Sequence, residues 1–163
     1  LRPFRQEDTD AYAAMCADPK VMRYLSPTGE VLPRDDAWRQ MAMLIGHWEL
    51  RGFGIWAAEE RQTGCFVGRI GLHYPEGWPD RELGWALRQE FWGRGLALEG
   101  ARAVADHAFR DLGWTHLISL IRPGNGRSVR VAENLGAIAT DVALIRGIEH
   151  VVYQLESWTT AGV

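Results

Sequence analysis

The chain has 163 residues, of which 47% are hydrophobic and 24% charged, with a formal net charge of −3. This length suits a single domain, here taken as residues 1–163, and this composition excludes a disordered chain. The small negative charge disfavours binding of nucleic acid or of an anionic membrane through bulk charge. No apolar run approaches the roughly 20 residues that span a bilayer, and no charged-then-apolar leader is visible. We therefore expect neither a nucleic-acid partner nor a membrane partner.

The first third of the chain is predicted to be mainly helical, after the end of a strand at residues 1–4. Short helices are expected over residues 9–16 and 19–24, followed by a loop. A longer helix, capped by Asp35 and stopped by Gly52, comes next. Its apolar residues recur at steps of three and four, which places them on one helical face: Trp38, Met41, Ile45 and Trp48.

The rest of the chain alternates strand and helix signals. Helical periodicity covers residues 96–110 and 128–135, and Gly113 and Gly136 end these two helices. Apolar runs predict strands over residues 55–59, 65–72, 82–87, 115–121, 140–145 and 148–156. This order predicts an α/β (α+β) fold with a mixed, mostly antiparallel sheet. The passage from residue 82 to residue 121 should be a right-handed crossover between parallel strands.

The cysteines and histidines suggest no reactive or metal site. Cys16 and Cys65 lie far apart and form no CxxC pattern, which favours a reducing, cytoplasmic setting. Cys65 is flanked by apolar Phe66 and Val67, so we expect a buried, inert thiol. The five histidines show no metal-ligand spacing, and we expect no metal.

A glycine-flanked turn, Gly93-Arg94-Gly95, joins the predicted strand 82–87 to a helix. The first N–H groups of a helix lack intrahelical partners and carry positive partial charge, and glycines let a phosphate approach the backbone. Arg94 would add a charged donor. The dinucleotide fingerprint fails because Leu98 occupies its third glycine position, and the P-loop Gly-Lys-Ser/Thr is absent. The turn indicates anion binding, with a plain turn before a helix as the alternative.

A second segment, residues 125–136, places Asn125 between a strand and a helix, where it can hold an amide ligand. Asn-Gly is also a strong hairpin signal, but the helical pattern after it argues against two paired strands.

Together these segments resemble the Gcn5-related N-acetyltransferase (GNAT) superfamily, in particular its ribosomal-protein N-acetyltransferase-like (RimJ/RimL-type) branch. The segment Glu82-Leu-Gly-Trp-Ala-Leu is similar to the strand before the pyrophosphate loop, and Trp92-Gly-Arg-Gly-Leu-Ala97 resembles that loop. The resemblance covers nearly the whole chain. The family usually carries several residues before Leu1, so the first strand is expected to be clipped. Matches to the second motif are Asn125, Ser128, Val131, Glu133 and Gly136.

The resemblance implies acetyl transfer from acetyl-CoA to a primary amine, either a protein N-terminal α-amino group or a small-molecule amine. It also implies a central pair of splayed parallel strands with the pantetheine arm between them. Family habit suggests a homodimer. The cofactor contacts implied are Trp85, Ala86, Leu87, Trp92, Gly93, Arg94, Gly95, Leu96, Ala97, Asn125 and Ser128.

Acetyl transfer needs a neutral amine, and a lysine amine is neutral in only about one molecule of several thousand at pH 7. Glu82, at the start of the strand that flanks the acetyl group, is the expected general base, with a surface carboxylate paired with Arg81 as the alternative. Many members of the superfamily carry an acid tyrosine at the position of Ala132. Ser128 is the expected substitute acid, with N-capping as its alternative.

The acceptor groove is expected to lie between the loops at residues 24–33 and 73–80. Tyr24, Trp78 and Tyr153 are its candidate substrate-binding residues, with core packing as the alternative for Tyr153. An acidic groove would suit polyamines or aminoglycosides, and a narrow neutral tunnel would suit a peptide N-terminus. A non-catalytic acyl-CoA-binding or sensing module is the alternative function, and Ala132 is the only feature that favours it.

Overall fold

Six strands form one sheet in the computed structural model, which describes residues 1–158. Their spatial order is β1-β2-β3-β4-β6-β5, and every neighbouring pair is antiparallel except β3 and β4. This mixed sheet with one parallel pair confirms the predicted α/β fold. In chain order the strands are β1 (Ile55–Glu59), β2 (Phe66–His73), β3 (Glu82–Leu87), β4 (His116–Ile121), β5 (Ile138–Ile145) and β6 (Ile148–Glu156).

The helices pack in two groups. Helices α4 (Leu96–Arg110) and α5 (Gly126–Leu135) cover a core centred on Leu72, Leu83 and Leu117. A second core gathers around Tyr12 and Leu44, built by α1 (Thr9–Cys16), α2 (Pro19–Met22) and α3 (Arg34–Arg51) with the first two strands. Within residues 1–158, no helix combines the length and apolar character needed to cross a membrane.

Helix α3 buries a different face from the predicted one. It begins after Pro33 rather than at an Asp35 cap. Trp38 and Ile45 are 51% and 41% exposed, so the predicted face was wrong for these two residues. The buried face includes His47, because its Nδ1 lies 2.9 Å from the Phe53 carbonyl oxygen and its Nε2 accepts from the Tyr74 N–H at 3.1 Å. A polar ring with both nitrogens bonded can be buried, and apolar periodicity does not detect it. The buried residues of α3 are Ala37, Met41, Leu44 and His47.

Cys65 is exposed, so the prediction of a buried thiol was wrong. Strand β2 begins at Phe66, one residue later than expected, and Cys65 belongs to the turn before it. Apolar neighbours did not determine its burial, because Cys65 precedes the strand that buries them.

The parallel pair β3–β4 separates soon after it forms, as the resemblance implied. Its paired register is Glu82 opposite Ile118. Beyond that point, two side chains replace strand-to-strand bonds. The Ser119 hydroxyl donates to the Leu83 carbonyl oxygen at 2.8 Å, and the Leu120 N–H donates to the Glu82 carboxylate. The sheet therefore opens into a gap toward the carboxyl ends of both strands.

Candidate active site

A cavity of about 410 Å³ lies at the gap between β3 and β4. Its walls come from the loop after α2, from α3, from strands β2 to β4, and from the start of α5 and the β5–β6 turn. The structure thus brings together residues that are far apart in the sequence. Predicted site residues that line the cavity are Tyr24, Trp78, Glu82, Trp85, Asn125 and Ser128.

Glu82 is half-buried in this cavity. Its Oε2 accepts a hydrogen bond from the Trp78 indole N–H at 2.8 Å. Burial raises the pKa of Glu82 to about 7, although the bonds from Trp78 and Leu120 and the charge of Arg69 act in the opposite direction. A carboxyl group with this pKa can accept a proton at neutral pH. The alternative of a surface pair with Arg81 does not hold, because that guanidinium lies over the Trp114 ring at 4.6 Å.

The glycine-flanked turn has the geometry of an open anion cradle. Gly93 and Gly95 have φ of 74° and 78°, a region that L side chains rarely adopt. Gly95 is the N-cap of α4, and no side chain caps this helix. A Cβ at Gly95 would meet nothing within 4 Å. A phosphate therefore has room to approach the first N–H groups of α4, those of Leu96 and Ala97.

Aromatic and basic side chains position this turn. The Trp92 indole N–H donates to the Leu87 carbonyl oxygen at 2.8 Å, which ties the turn to the end of β3. Arg94, expected as a phosphate donor, is instead ion-paired with Glu60. Arg127, which the sequence analysis did not single out, lies over the Trp92 ring at 4.2 Å.

Asn125 and Ser128 form a local pair at the start of α5. The Asn125 Oδ1 accepts from the Ser128 N–H at 3.4 Å, and its Nδ2 donates to the Ser128 hydroxyl oxygen at 3.0 Å. Asn125 is therefore the N-cap, and the N-capping alternative for Ser128 does not hold. The Ser128 oxygen accepts this bond, which leaves its hydroxyl proton for another acceptor. Ala132 is fully buried and belongs to the core beneath α5 rather than to the cavity lining.

Two of the three aromatic residues expected at the acceptor end line the cavity. The Tyr24 hydroxyl donates to the Gly124 carbonyl oxygen at 3.0 Å, so this side chain forms a fixed wall. The Trp78 ring packs edge-on against His73, with ring centroids 5.1 Å apart. Tyr153, predicted to bind the substrate, does not line the cavity. It lies opposite Ser119 in β6 and packs against the main core. Its ring is partly buried against this core, as the packing interpretation expects.

Several polar residues of the cavity wall carry no local sequence signal. Arg69 and His73 belong to β2 and face the cavity, and Arg146 reaches it from the β5–β6 turn. Burial lowers the pKa of His73 to about 3, so its imidazole is neutral at neutral pH. The register of β2 against β3, which sets His73 opposite Glu82, is the signal that could have found these residues.

The family model for the acetyltransferase (GNAT) domain matches residues 1–138. The chain belongs to the GNAT acetyltransferase family. The uncharacterised protein YkkB of Bacillus subtilis is 34% identical over 140 residues, which are 80% of this chain and 77% of that protein. This membership implies acetyl-CoA-dependent acetyl transfer and confirms the expected superfamily.

Solved structures share the fold of this GNAT protein. An acetyltransferase from Agrobacterium tumefaciens str. C58 matches with a TM-score of 0.86 and 30% identity, covering 96% of this chain and 90% of that chain. RimJ from Mycobacterium smegmatis, in complex with CoA-disulfide, matches with a TM-score of 0.76 and 17% identity, covering 99% of this chain and 83% of that chain. At that identity the RimJ likeness is one of fold.

Proposed function

We propose that this GNAT protein transfers the acetyl group of acetyl-CoA directly to a primary amine, with Glu82 as the general base. The observation that carries the proposal is a half-buried carboxyl group with a pKa of about 7, placed where β3 and β4 separate. Bound acetyl-CoA supplies an acetyl thioester that an amine can attack without a covalent enzyme intermediate.

The gap between β3 and β4 suits the pantetheine arm. The carbonyl oxygens of Leu83 and Leu87 already accept bonds from Ser119 and Trp92. Since alternate residues of a strand direct their main-chain groups to the same edge, those of Trp85 face the gap. We assign the arm to the segment from Trp85 to Leu87 and the pyrophosphate to the N–H groups of residues 93–97. RimJ from Mycobacterium smegmatis, which shares this fold, was solved in complex with CoA-disulfide.

Two side chains handle protons in the proposed reaction. Glu82 accepts the proton that the amine loses as its nitrogen forms the new amide bond. Ser128 donates a hydrogen bond to the sulfur as the carbon–sulfur bond breaks, and CoA leaves as its thiolate, which a thiol pKa near 8.5 makes a tolerable leaving group. Proton transfer by a positioned group typically contributes about 10²–10⁴-fold to the rate.

Replacing Glu82 with Gln tests the base. We expect turnover to fall by about 10²–10⁴-fold, with acetyl-CoA affinity nearly unchanged because this side chain lies away from the pyrophosphate turn. In the unmodified protein, kcat/KM should rise steeply with pH as Glu82 ionises around its pKa of about 7, and less steeply above it as the neutral fraction of the amine grows. Release of free CoA thiol measures turnover, and calorimetry measures affinity.

Glu49→Gln is the matched control, because Glu49 is exposed on α3 and outside the cavity lining. It should leave both quantities unchanged. Equal turnover of the Glu82→Gln protein and the unmodified protein would remove Glu82 from the role of base.

Acyl-CoA binding without catalysis is the second candidate function, because Ala132 stands where many superfamily members carry a tyrosine. Peptides, amino acids and polyamines are tested as acceptors. If the protein binds acetyl-CoA but none of these amines causes thiol release, the result favours the non-catalytic function.

Location and assembly remain part of the proposal. Both cysteines are free, which supports the cytoplasmic setting proposed from the sequence. A homodimer is proposed from family habit, and light scattering in solution tests it.

A further inference from the structure

The acceptor side of the cavity is basic. Among the described residues that line it, Glu82 is the only carboxylate, whereas three arginines contribute positive charge. Arg122 is held by main-chain oxygens, since its Nη1 donates to the Ser26 carbonyl oxygen at 2.9 Å and to that of Arg23 at 3.3 Å. Arg69 and Arg146 remain as the arginines whose donors are open to a ligand.

Arg69 is half-buried and its hydrogen-bonding capacity is unused. Its Nε is buried and makes no hydrogen bond within residues 1–158. A buried donor without an acceptor is costly, and a guanidinium binds a carboxylate through two parallel hydrogen bonds. Arg69 lies close enough to Glu82 and His73 to act on the pKa of both. The unused donor and the proposed base therefore face the same cavity.

The β2–β3 register leaves open space beside Glu82, at Gly84. Arg69 pairs with Ala86, and His73 pairs with Glu82, so these side chains share one face of the sheet. The pair between them is Gly71 with Gly84. The space over Gly71 is filled, because a Cβ there would meet the Ile55 Cα at 2.4 Å and the Gly54 carbonyl oxygen at 2.5 Å. A Cβ on Gly84 would meet, within 4 Å, only the Glu82 Oε1 at 3.9 Å. The cavity is therefore open at Gly84, beside the proposed base.

Arg146 holds an unusual backbone conformation at the opposite wall. Among the described non-glycine residues it alone has a positive φ, of 50°, and it precedes Gly147 in the β5–β6 turn. Such turns usually carry Asn, Asp or Gly at this position. An arginine here costs strain, and the turn places its side chain at the cavity.

We propose that the acceptor is a small amine that also carries a carboxylate, an aminocarboxylate of the amino-acid class, whose amine meets Glu82 and whose carboxylate is bound by Arg69 and Arg146. This inference rests on the proposed acetyl transfer. Polyamines and aminoglycosides fit poorly, because their further ammonium groups would face two guanidinium groups with no second carboxylate in the lining.

Matched ligands test the charge requirement on the unmodified protein. Amino acids are compared with their amides, which keep the side chain and the amine and lose the carboxylate, by thiol release from acetyl-CoA. We expect kcat/KM to be about tenfold to a hundredfold higher for the acids. Peptides that begin with Asp or Glu and polyamines complete the panel, and both should be poor acceptors.

Variants of the two arginines test which residue binds the carboxylate of the acceptor. Arg69→Gln and Arg146→Gln should each reduce the preference for acid over amide, Arg69→Gln by at least about tenfold, and should leave acetyl-CoA affinity unchanged. Arg61→Gln is the control, because Arg61 is exposed in the β1–β2 turn. Arg146 is exposed, so Arg146→Gln should fold normally. The test therefore remains valid if the Arg69→Gln protein misfolds.

The outcomes separate the two proposals. The aminocarboxylate assignment would be overturned if thiol release were equal for acids and amides, or fastest with polyamines or acidic peptides. Acetyl transfer itself would still stand. An unchanged preference in both arginine variants would also overturn it. No release with any amine, despite acetyl-CoA binding, would overturn acetyl transfer and this inference together.

Discussion

His73 and Glu82 face each other across β2 and β3, and burial moves their pKa values in opposite directions. The pKa of Glu82 rises to about 7 and that of His73 falls to about 3. Both changes favour the neutral form, as expected for groups withdrawn from water. Near neutral pH the imidazole is therefore uncharged while the carboxyl group exchanges protons. This difference favours Glu82, rather than the histidine opposite it, as the proposed base.

Replacing His73 with Phe should make stability less dependent on pH in the acid range. The folded protein keeps this imidazole neutral down to about pH 3, whereas the unfolded chain binds a proton near pH 6.5. The unfolded state therefore binds more protons between these values. The free energy of unfolding should fall as the pH drops through this window, by at most about 1.4 kcal/mol per pH unit from this group.

Urea unfolding of both proteins at about pH 4.5 and pH 7.5 measures this effect. The stability difference between the two pH values should be smaller in the His73→Phe protein. An equal difference in both proteins would show that His73 is not held neutral in the fold.

At the scale of elements, helix α4 has a glycine of left-handed conformation beyond each end. Gly95 has φ of 78° and Gly113 has φ of 68°, and a Cβ at either would meet nothing within 4 Å. Valine at either position should cost about 1–2 kcal/mol through backbone strain. Only Gly95 lies where the pyrophosphate is proposed to bind.

Gly95→Val should therefore weaken acetyl-CoA binding by at least about tenfold, and Gly113→Val, matched in strain, should leave it unchanged. Calorimetric titration measures both affinities, and thermal unfolding checks that the strain is similar. The same affinity in both variants would remove the turn from the cofactor site.

Local patterns predicted most elements because propensity, caps and periodicity act within a few residues. Strand β3 and helix α4 have the predicted bounds, and the glycine turn and Asn125 follow from the same local signals. Local signals did not predict which face of α3 is buried, that Arg69 lines the cavity or that Tyr153 lies outside it. These features depend on contacts between distant segments. His47 is buried through bonds to Phe53 and Tyr74, which composition along α3 alone does not reveal.

At the scale of the whole molecule, the mouth of the cavity joins two distant parts of the chain. Tyr24 bonds to Gly124, and Arg122 bonds to the main chain of Arg23 and Ser26, across 96 to 100 positions of sequence. The shape of the proposed acceptor site therefore depends on the loop after α2 being held against the loop after β4.

Replacing Arg122 with Ala removes two of these three bonds. We expect the KM for the acceptor to rise several-fold and amide hydrogen exchange over residues 23–29 to become faster. The free energy of unfolding should fall by roughly 1–2 kcal/mol. Tyr24→Phe is the milder comparison, because it removes one bond and keeps the ring. Unchanged exchange in the Arg122→Ala protein would show that the loop is held by other contacts.

The Glu82 carboxylate and the Ser119 hydroxyl replace bonds that the separating strands no longer make. A library built to change the acceptor by directed evolution should therefore keep both residues fixed, since their loss would damage the scaffold along with the chemistry. Randomisation belongs at Arg69, Gly84 and Arg146, which line the same cavity.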